Sequence, residues 1–497
     1  MGAVFTFPLQ AEGEFYVHRL RRNVLEGVLF FLLTAFFLLG FMCVEISGQE
    51  SNSQQETRSQ LESALTLADV INLALYANRG LKSSEYNVES QKYSLGAVQS
   101  EFDWKLIPGA NASATDGTSS IGAGVTVEKK FAPGPTAALS PKIARNYDDE
   151  DTEAYSGGLG ISLTVPLLRG FGSEINLNSV RMAEYTLRTA HRSHYLVKVN
   201  TVLETVAAVY NIVQQRELVS LYQVQTESFK GHVVMARTRE KIGLATSIDV
   251  YRAEIRLKDA QDSLSRAREA LRSAGDRLKI VLAAPMEEAM QVVAPLAYQP
   301  LDITLEEAVA TALQNRVEIN QIDDEIEQAR RASRLAKNNL FPQLDLVANY
   351  TRSVSDDQFS RSMRLDEDSW SINLISTTDW SRTAEKAAYQ KTLLVVKTTK
   401  LNRSTIIDGI KQDVRQYFDA LLKDEERAQI RNEQIDQARG KLALAEIKFS
   451  HGMANNFDVI EAETELQEAW ANLLVAKIQY IVGMYRLRAA IGTLIES

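Results

Sequence analysis

The amino-acid sequence predicts a mixed α and β membrane protein built from a tandem structural repeat, with very long coiled-coil helices interrupted by short amphipathic strands. Three observations predict this. The two halves of the chain repeat the same phrases, each half holds one helical stretch of about 65–70 residues, and each half contains one block of alternating apolar and polar residues.

The duplication comes first because it organises the rest. Leu65-Thr66-Leu67-Ala68-Asp69-Val70 answers Ile303-Thr304-Leu305-Glu306-Glu307-Ala308, each a threonine cap with a carboxylate three residues on. Each continues into a similar phrase, Asn78-Arg79 and Asn315-Arg316. Gly243-Leu244-Ala245-Thr246-Ser247-Ile248-Asp249-Val250 parallels Gly452-Met453-Ala454-Asn455-Asn456-Phe457-Asp458-Val459, and Ala253-Glu254 answers Ala462-Glu463.

A heptad-like seam follows in both halves. Leu257, Ala260, Leu264, Ala267, Leu271, Ala274 and Leu278 step by three and four, as do Leu466, Ala469, Leu473, Ala476, Tyr480, Gly483 and Leu487. Upstream, Val202, Val206, Val209 and Val213 correspond to Ile410, Val414, Tyr417 and Leu421. Large and small residues alternating at this period indicate helices that approach closely.

Each half therefore reads as helix, β block, long helix, tight turn and shorter helix. The first-half spans are about 67–100, 103–168, 175–241 and 246–283; the second-half spans are about 304–340, 343–378, 382–450 and 455–494. At ~1.5 Å per residue the long helices reach about 100 Å, which no compact domain can house. The two shorter helices of a half, stacked end to end, match the long one, an arrangement suited to a wall or a tube.

Leu159, Ile161, Leu163 and Val165 alternate with Gly160, Ser162 and Thr164, and Leu344 and Leu346 lead similarly to Tyr350. By itself this alternation also fits a half-buried strand of a soluble sheet. With the duplication it predicts two spanning strands per half, four per chain, with 117–155 as an external loop, either plain or with an extra hairpin around Gly124–Lys130. Four strands cannot close a barrel and open edges are not viable in lipid, so several copies must pool their strands.

The 497 residues carry a formal net charge of −9 and no basic stripe beyond the N-terminus, so no nucleic-acid partner is expected. Arg19, Arg21 and Arg22 precede an apolar run from Val24 to Val44, which reads as a signal peptide within 1–48 or, failing cleavage, a membrane anchor. The single cysteine, Cys43, lies in that run, and Phe41-Met42 ahead of it are bulky for a lipid-attachment site. The expected division is then a first repeat over 49–300 and a second over 301–497. No cofactor, metal site or catalytic set is expected: His191 and His194 share a helix face without a placed carboxylate, and no phosphate-binding loop or nucleophile elbow is present.

Together these features resemble the TolC family of outer-membrane efflux proteins over essentially all of the chain after the N-terminal segment. The resemblance rests on the duplicated plan, on the two Gly-containing turns followed by Asp-Val, and on Val165-Pro166-Leu167-Leu168-Arg169-Gly170-Phe171-Gly172, which is similar to that family's strand-to-helix passage. It implies a homotrimeric channel-tunnel with a 12-stranded β-barrel, four strands per subunit, in outer-membrane lipid, and a periplasmic α-helical coiled-coil barrel. It also implies a periplasmic adaptor and an inner-membrane pump as partners in efflux or type I secretion.

Residue by residue, it makes Gly243, Leu244, Ala245, Gly452, Met453 and Ala454 the adaptor-docking tip. It makes Asp249, Asp458 and Glu461 pore carboxylates, and Pro166, Gly170 and Gly172 the passage. Helix capping alone would also explain Asp249 and Asp458. Two departures stand out. The second passage, Ile375-Ser376-Thr377-Thr378-Asp379-Trp380-Ser381, lacks the proline and glycines; Phe449 and Ala454 replace a tyrosine and an arginine that help to close the entrance in the family. A periplasmic coiled-coil rod or adaptor hairpin would share the seams but not the paired β blocks.

Overall fold

A computed structural model describes residues 65–495, apart from 116–117, 149–152, 289, 298–301, 360 and 363. The segment 1–48, with Cys43, lies outside the described residues.

Four capping boxes start the helices that follow turns. Thr66 with Asp69, Thr246 with Asp249, Thr304 with Glu307 and Asn455 with Asp458 each satisfy two otherwise orphaned donors. The first two-residue strand, β1 (Leu65–Thr66), leads into α1 (Leu67–Ala77) and α2 (Arg79–Gln99). The single helix expected over 67–100 is thus two. Asn78 has ψ 126°, outside the helical region, and its side chain accepts the Leu81 N–H at 3.0 Å to cap α2.

The second half breaks in the same place: α6 (Leu305–Asn315) and α7 (Val317–Asn338) flank Arg316, whose ψ is 120°. Aligning the helix starts Leu67 and Leu305 therefore sets Asn78 against Arg316, one position away from the Asn-Arg phrase that the sequences share.

The β region differs from expectation in number. One antiparallel sheet holds six strands in the order β2-β3-β4-β5-β7-β8: β2 (Trp104–Thr115), β3 (Thr118–Lys130), β4 (Thr136–Asp148), β5 (Glu153–Pro166), β7 (Asp345–Asp356) and β8 (Glu367–Ile375). A second sheet pairs β1 in parallel with β6 (Val292–Val293).

The stretch 117–155, expected as an external loop or one with an extra hairpin around Gly124–Lys130, supplies such a hairpin, but as two complete strands of 13 residues within the sheet. Its glycines and prolines disguised them. Pro108 is accommodated because β2 is an edge strand. Pro141 is accommodated by a gap in the ladder, where the register between β3 and β4 runs from Gly124↔Lys142 to Val127↔Leu139.

The helices form the other region. After the one-turn helix α3 (Ser173–Asn176) come α4 (Asn178–Lys241) and α5 (Ser247–Val281) in the first half, and α8 (Thr383–Ser450) and α9 (Asn456–Ala490) in the second. α2 and α5 both pack on α4, while α7 and α9 both pack on α8. α9 also packs on α4, joining the halves.

The seams bury Val202, Val206, Val209 and Val213 of α4, with Ala253, Ala260, Leu264, Ala267, Ala274 and Leu278 of α5. In the second half Ile410, Val414 and Leu421 are buried, but Tyr417 is 38% exposed and Phe418 takes its place. A four-residue step after Val414 keeps the bulky ring on the contact face. Among the described residues α4 is the one helix long and apolar enough to cross a bilayer, and its Val202, Val206, Val209 and Val213 are instead covered within the protein.

Leu421 sits at the centre of the second-half core beside Val414, Phe418 and Tyr480, and Gly483 lets α9 approach it. Leu421→Ala should cost about 2–5 kcal/mol of stability through the cavity it leaves. Thermal melting of the helical circular dichroism in detergent should show this as a lowered midpoint; an unchanged midpoint would contradict the packing.

Candidate functional site

The two turns between long and short helices, α4–α5 and α8–α9, share one geometry. Gly243 and Gly452 have φ of 75° and 73°, the left-handed region that a side chain disfavours. Gly243 N–H donates to the Glu240 carbonyl at 3.0 Å and Leu244 N–H to Arg239 at 2.8 Å; Gly452 and Met453 repeat the pattern with Phe449 at 3.1 Å and Lys448 at 2.8 Å. Both turns are thus Schellman caps. Such a cap often tucks the following apolar side chain against its helix. Here Leu244 is 72% and Met453 69% exposed, while Ala245 and Ala454 are half-buried.

The three acids occupy different surroundings. Asp249 accepts the Thr246 backbone N–H at 3.0 Å and its hydroxyl at 2.8 Å, and these bonds hold its carboxyl below the usual range. Asp458 accepts the Asn455 N–H at 2.8 Å in the same capping role. Glu461, one turn further, is exposed. Capping and a place at the tip coincide in the two aspartates.

The structure adds contacts that sequence reasoning did not place. The Arg239 guanidinium lies 3.9 Å from the centroid of the Phe449 ring, and Arg252 and Arg256 lie 5.3 and 6.0 Å from that of Phe457. Phe449, without a hydroxyl, therefore joins the two turns through its ring face. Deeper in, His232 of α4 places Nδ1 2.9 Å from Asn456 Oδ1 and Nε2 3.1 Å from Glu463 Oε2, both on α9. Ile460 completes the contact by packing into the first-half cluster of Phe229, Val233 and Ala236. The available signal was the repeat itself: Glu254, which Glu463 answers, accepts from Arg237 Nε at 3.1 Å within its own half, whereas Glu463 reaches across to the other.

At the sheet end, Pro166 closes β5, and Gly170 and Gly172 have φ of 88° and 111°. Gly170 N–H donates to Asn338 Oδ1 at 2.9 Å, and Asn176 Nδ2 donates to the carbonyls of Gly170 at 2.7 Å and Gly172 at 3.0 Å. The second passage turns by other means. Arg382 adopts the left-handed conformation, φ 49°, and its guanidinium donates to the Leu340 carbonyl; Asp379 accepts the Ser381 N–H at 3.1 Å. His194 approaches Ser84 Oγ at 2.7 Å, and no cluster of three or more metal-ligating side chains occurs among the described residues.

The model of the family described as outer membrane efflux protein matches residues 70–284 and 308–493, one block in each half. The chain belongs to the outer membrane efflux protein family. It is 23% identical to outer membrane protein TolC of Escherichia coli K12 over 318 residues, 59% of this chain and 62% of TolC. It is 26% identical to the alkaline protease secretion protein AprF of Pseudomonas aeruginosa over 287 residues, 57% of this chain and 56% of AprF. These matches thus span less than two thirds of either relative's length. The crystal structure of the Campylobacter jejuni CmeC outer membrane channel superposes with a TM-score of 0.66 at 15% identity, covering 91% of each chain. The fold of this chain is therefore that of outer-membrane channels, mixed α and β.

Burial opposes a charge on His232, but the bonds to Glu463 and Asn456 and the nearby Glu446 outweigh it and hold the ring above the ordinary imidazole range. A raised folded value stabilises below the unfolded pKa of about 6.5 and is lost as pH rises through the folded value. Tip stability should therefore fall as pH rises from about 6.5 through the raised folded value, and His232→Gln should flatten the dependence. Melting of both proteins across that range checks this; a wild-type curve without pH dependence contradicts the charged pair.

Proposed function

We propose that three copies of this chain close edge to edge into the outer-membrane exit duct of a tripartite efflux or type I secretion system. The duct passively carries solutes delivered by an inner-membrane pump through a periplasmic adaptor. The supporting observation is that both lateral rims of the subunit are unpartnered. β2 and β8 are the free edges of the sheet. The outermost helices expose apolar side chains on opposite rims, Tyr86, Tyr93 and Tyr251 of α2 and α5 on one and Leu394, Leu401 and Ile447 of α8 on the other. Two unlike rims suit a head-to-tail contact, which closes into a ring.

In this reading the segment 1–48 is the export signal, and 49–300 and 301–497 are the two repeats. The Schellman turns form the periplasmic entrance, where Leu244 and Met453 with their flanking Gly243, Ala245, Gly452 and Ala454 receive the adaptor. Large exposed apolar residues at a tip, where a bare turn is usually polar, support a docking role. Asp458 and Glu461, with Asp249 nearby, form carboxylate rings that attract cations. The passage through Pro166, Gly170 and Gly172 carries the chain from barrel wall to tunnel wall. The duct reading makes the chain a passive conduit, in keeping with its outer membrane efflux protein family.

Purified protein in planar bilayers should form cation-selective channels; no channel activity would reject the duct. Replacing both Asp458 and Glu461 with alanine should lower the cation-to-anion permeability ratio severalfold, and unchanged selectivity would reject the rings. Leu244→Glu or Met453→Glu should abolish efflux in cells while leaving trimers intact on native gels. Normal efflux in both would place adaptor docking elsewhere.

A further inference from the structure

Resting on the duct reading above, we infer that the membrane barrel of this protein closes with eighteen strands, three copies of the six seen here, and not with twelve. The question turns on the hairpin β3–β4: it is either part of the membrane wall or an excursion from it.

The side-chain pattern places it in the wall. The paired registers define one continuous row, Leu106–Val127–Leu139–Ile161–Tyr350–Trp370, with one residue from each strand and every one apolar or aromatic. A row on the opposite face reads Lys105–Glu128–Ala138–Ser162–Asn349–Ser371. β3 and β4 thus carry the same apolar-out, polar-in alternation as their neighbours, in phase with them. A hairpin lying outside the membrane would have no reason to match that phase, because a shift of one residue reverses the faces.

The height agrees. β3 and β4 have 13 residues each, against 12 to 14 in β2, β5 and β7 and 9 in β8, and about 9–11 tilted residues cross a bilayer. The turn between β3 and β4 returns at the helix end of the sheet. Gly172 N–H, in the strand-to-helix passage, donates to the Pro133 carbonyl at 2.8 Å. A side-chain carbon at Gly134 would meet the Gly170 carbonyl at 2.8 Å, so this turn is seated closely on the passage. The chain therefore crosses the full sheet four times in its first half and twice in its second.

Closure remains possible with the extra pair. Successive strands alternate in direction, so β2 and β8 run oppositely, and β8 of one copy can pair antiparallel with β2 of the next. Every edge is then satisfied, as lipid requires. Barrel diameter grows roughly linearly with strand number, which makes this bore about 1.5 times that of a twelve-stranded ring and puts it in the range of water-filled porins.

Electron cryo-microscopy of the full-length protein in lipid nanodiscs, read as a cross-section through the barrel, tests this. Eighteen strands with β3 and β4 between β2 and β5 is the expected result. Twelve strands in a trimeric barrel, with the hairpin displaced, overturns the inference and leaves the duct reading intact. Absence of a trimeric membrane barrel overturns both. Bimane attached at Val127→Cys or Leu139→Cys should also be quenched by acyl-brominated lipid, and at Thr126→Cys by aqueous iodide; aqueous quenching at all three sites overturns the hairpin's place in the wall.

Discussion

The constraint behind this structure is that its wall is one layer thick. Helices of 64 and 68 residues, about 96 and 102 Å long, are covered along narrow seams only. A seam of that length is affordable in sequence terms because it repeats: apolar residues every three or four positions on the long helices, facing an alternation of large residues and alanines on α5 and α9. Such a layer has no interior of its own on the lateral rims, and its sheet leaves β2 and β8 unpaired. Edges of that kind are tolerated only when something covers them, and a second copy offers the matching rim.

Duplication solves the folding problem twice with the same local devices. Four capping boxes start helices at equivalent positions, and two Schellman turns reverse the chain at the tips. Where the halves differ, the difference lies where the chain must turn or where it has been lengthened. Pro166, Gly170 and Gly172 make the first passage, while the second is made without proline or glycine, by an Asp379 that accepts from Ser381 and a left-handed Arg382. The first half carries an additional hairpin and the second does not, so the repeat is close in its helices and unequal in its sheet.

The tips show how the halves are held together. His232 and Glu463 sit 231 residues apart in sequence and 3.1 Å apart in space, and Arg239 covers Phe449 from the other half. A half-buried ion pair of this type specifies a register more than it adds stability, and here it couples the last turns of the long helix in one repeat to the first turns of the helix in the other. The cation–π contacts lie nearer the exposed ends, where an apolar ring facing water gains from a guanidinium above it.

Much of this was legible because the period of a helix or strand is written in adjacent residues. The seams, the two glycine turns, the long helices and the capping role of Asp249 and Asp458 follow from spacing, composition and local hydrogen-bonding geometry, which depend on a few neighbours. The breaks at Asn78 and Arg316, the shift from Tyr417 to Phe418 and the length and sheet position of the strands within 117–155 were hidden. In each, a local signal competes with packing: a helix-compatible phrase is bent to cross a neighbour, and a stretch rich in glycine and proline is held as strand by partners on both sides. The sequence by itself determined the module, its duplication and its inability to cover its own rims. Only the tertiary structure decided the number of strands and the partners of His232, Arg239 and Arg382, because hydrogen-bond ladders and cross-repeat contacts depend on what lies beside a residue in space.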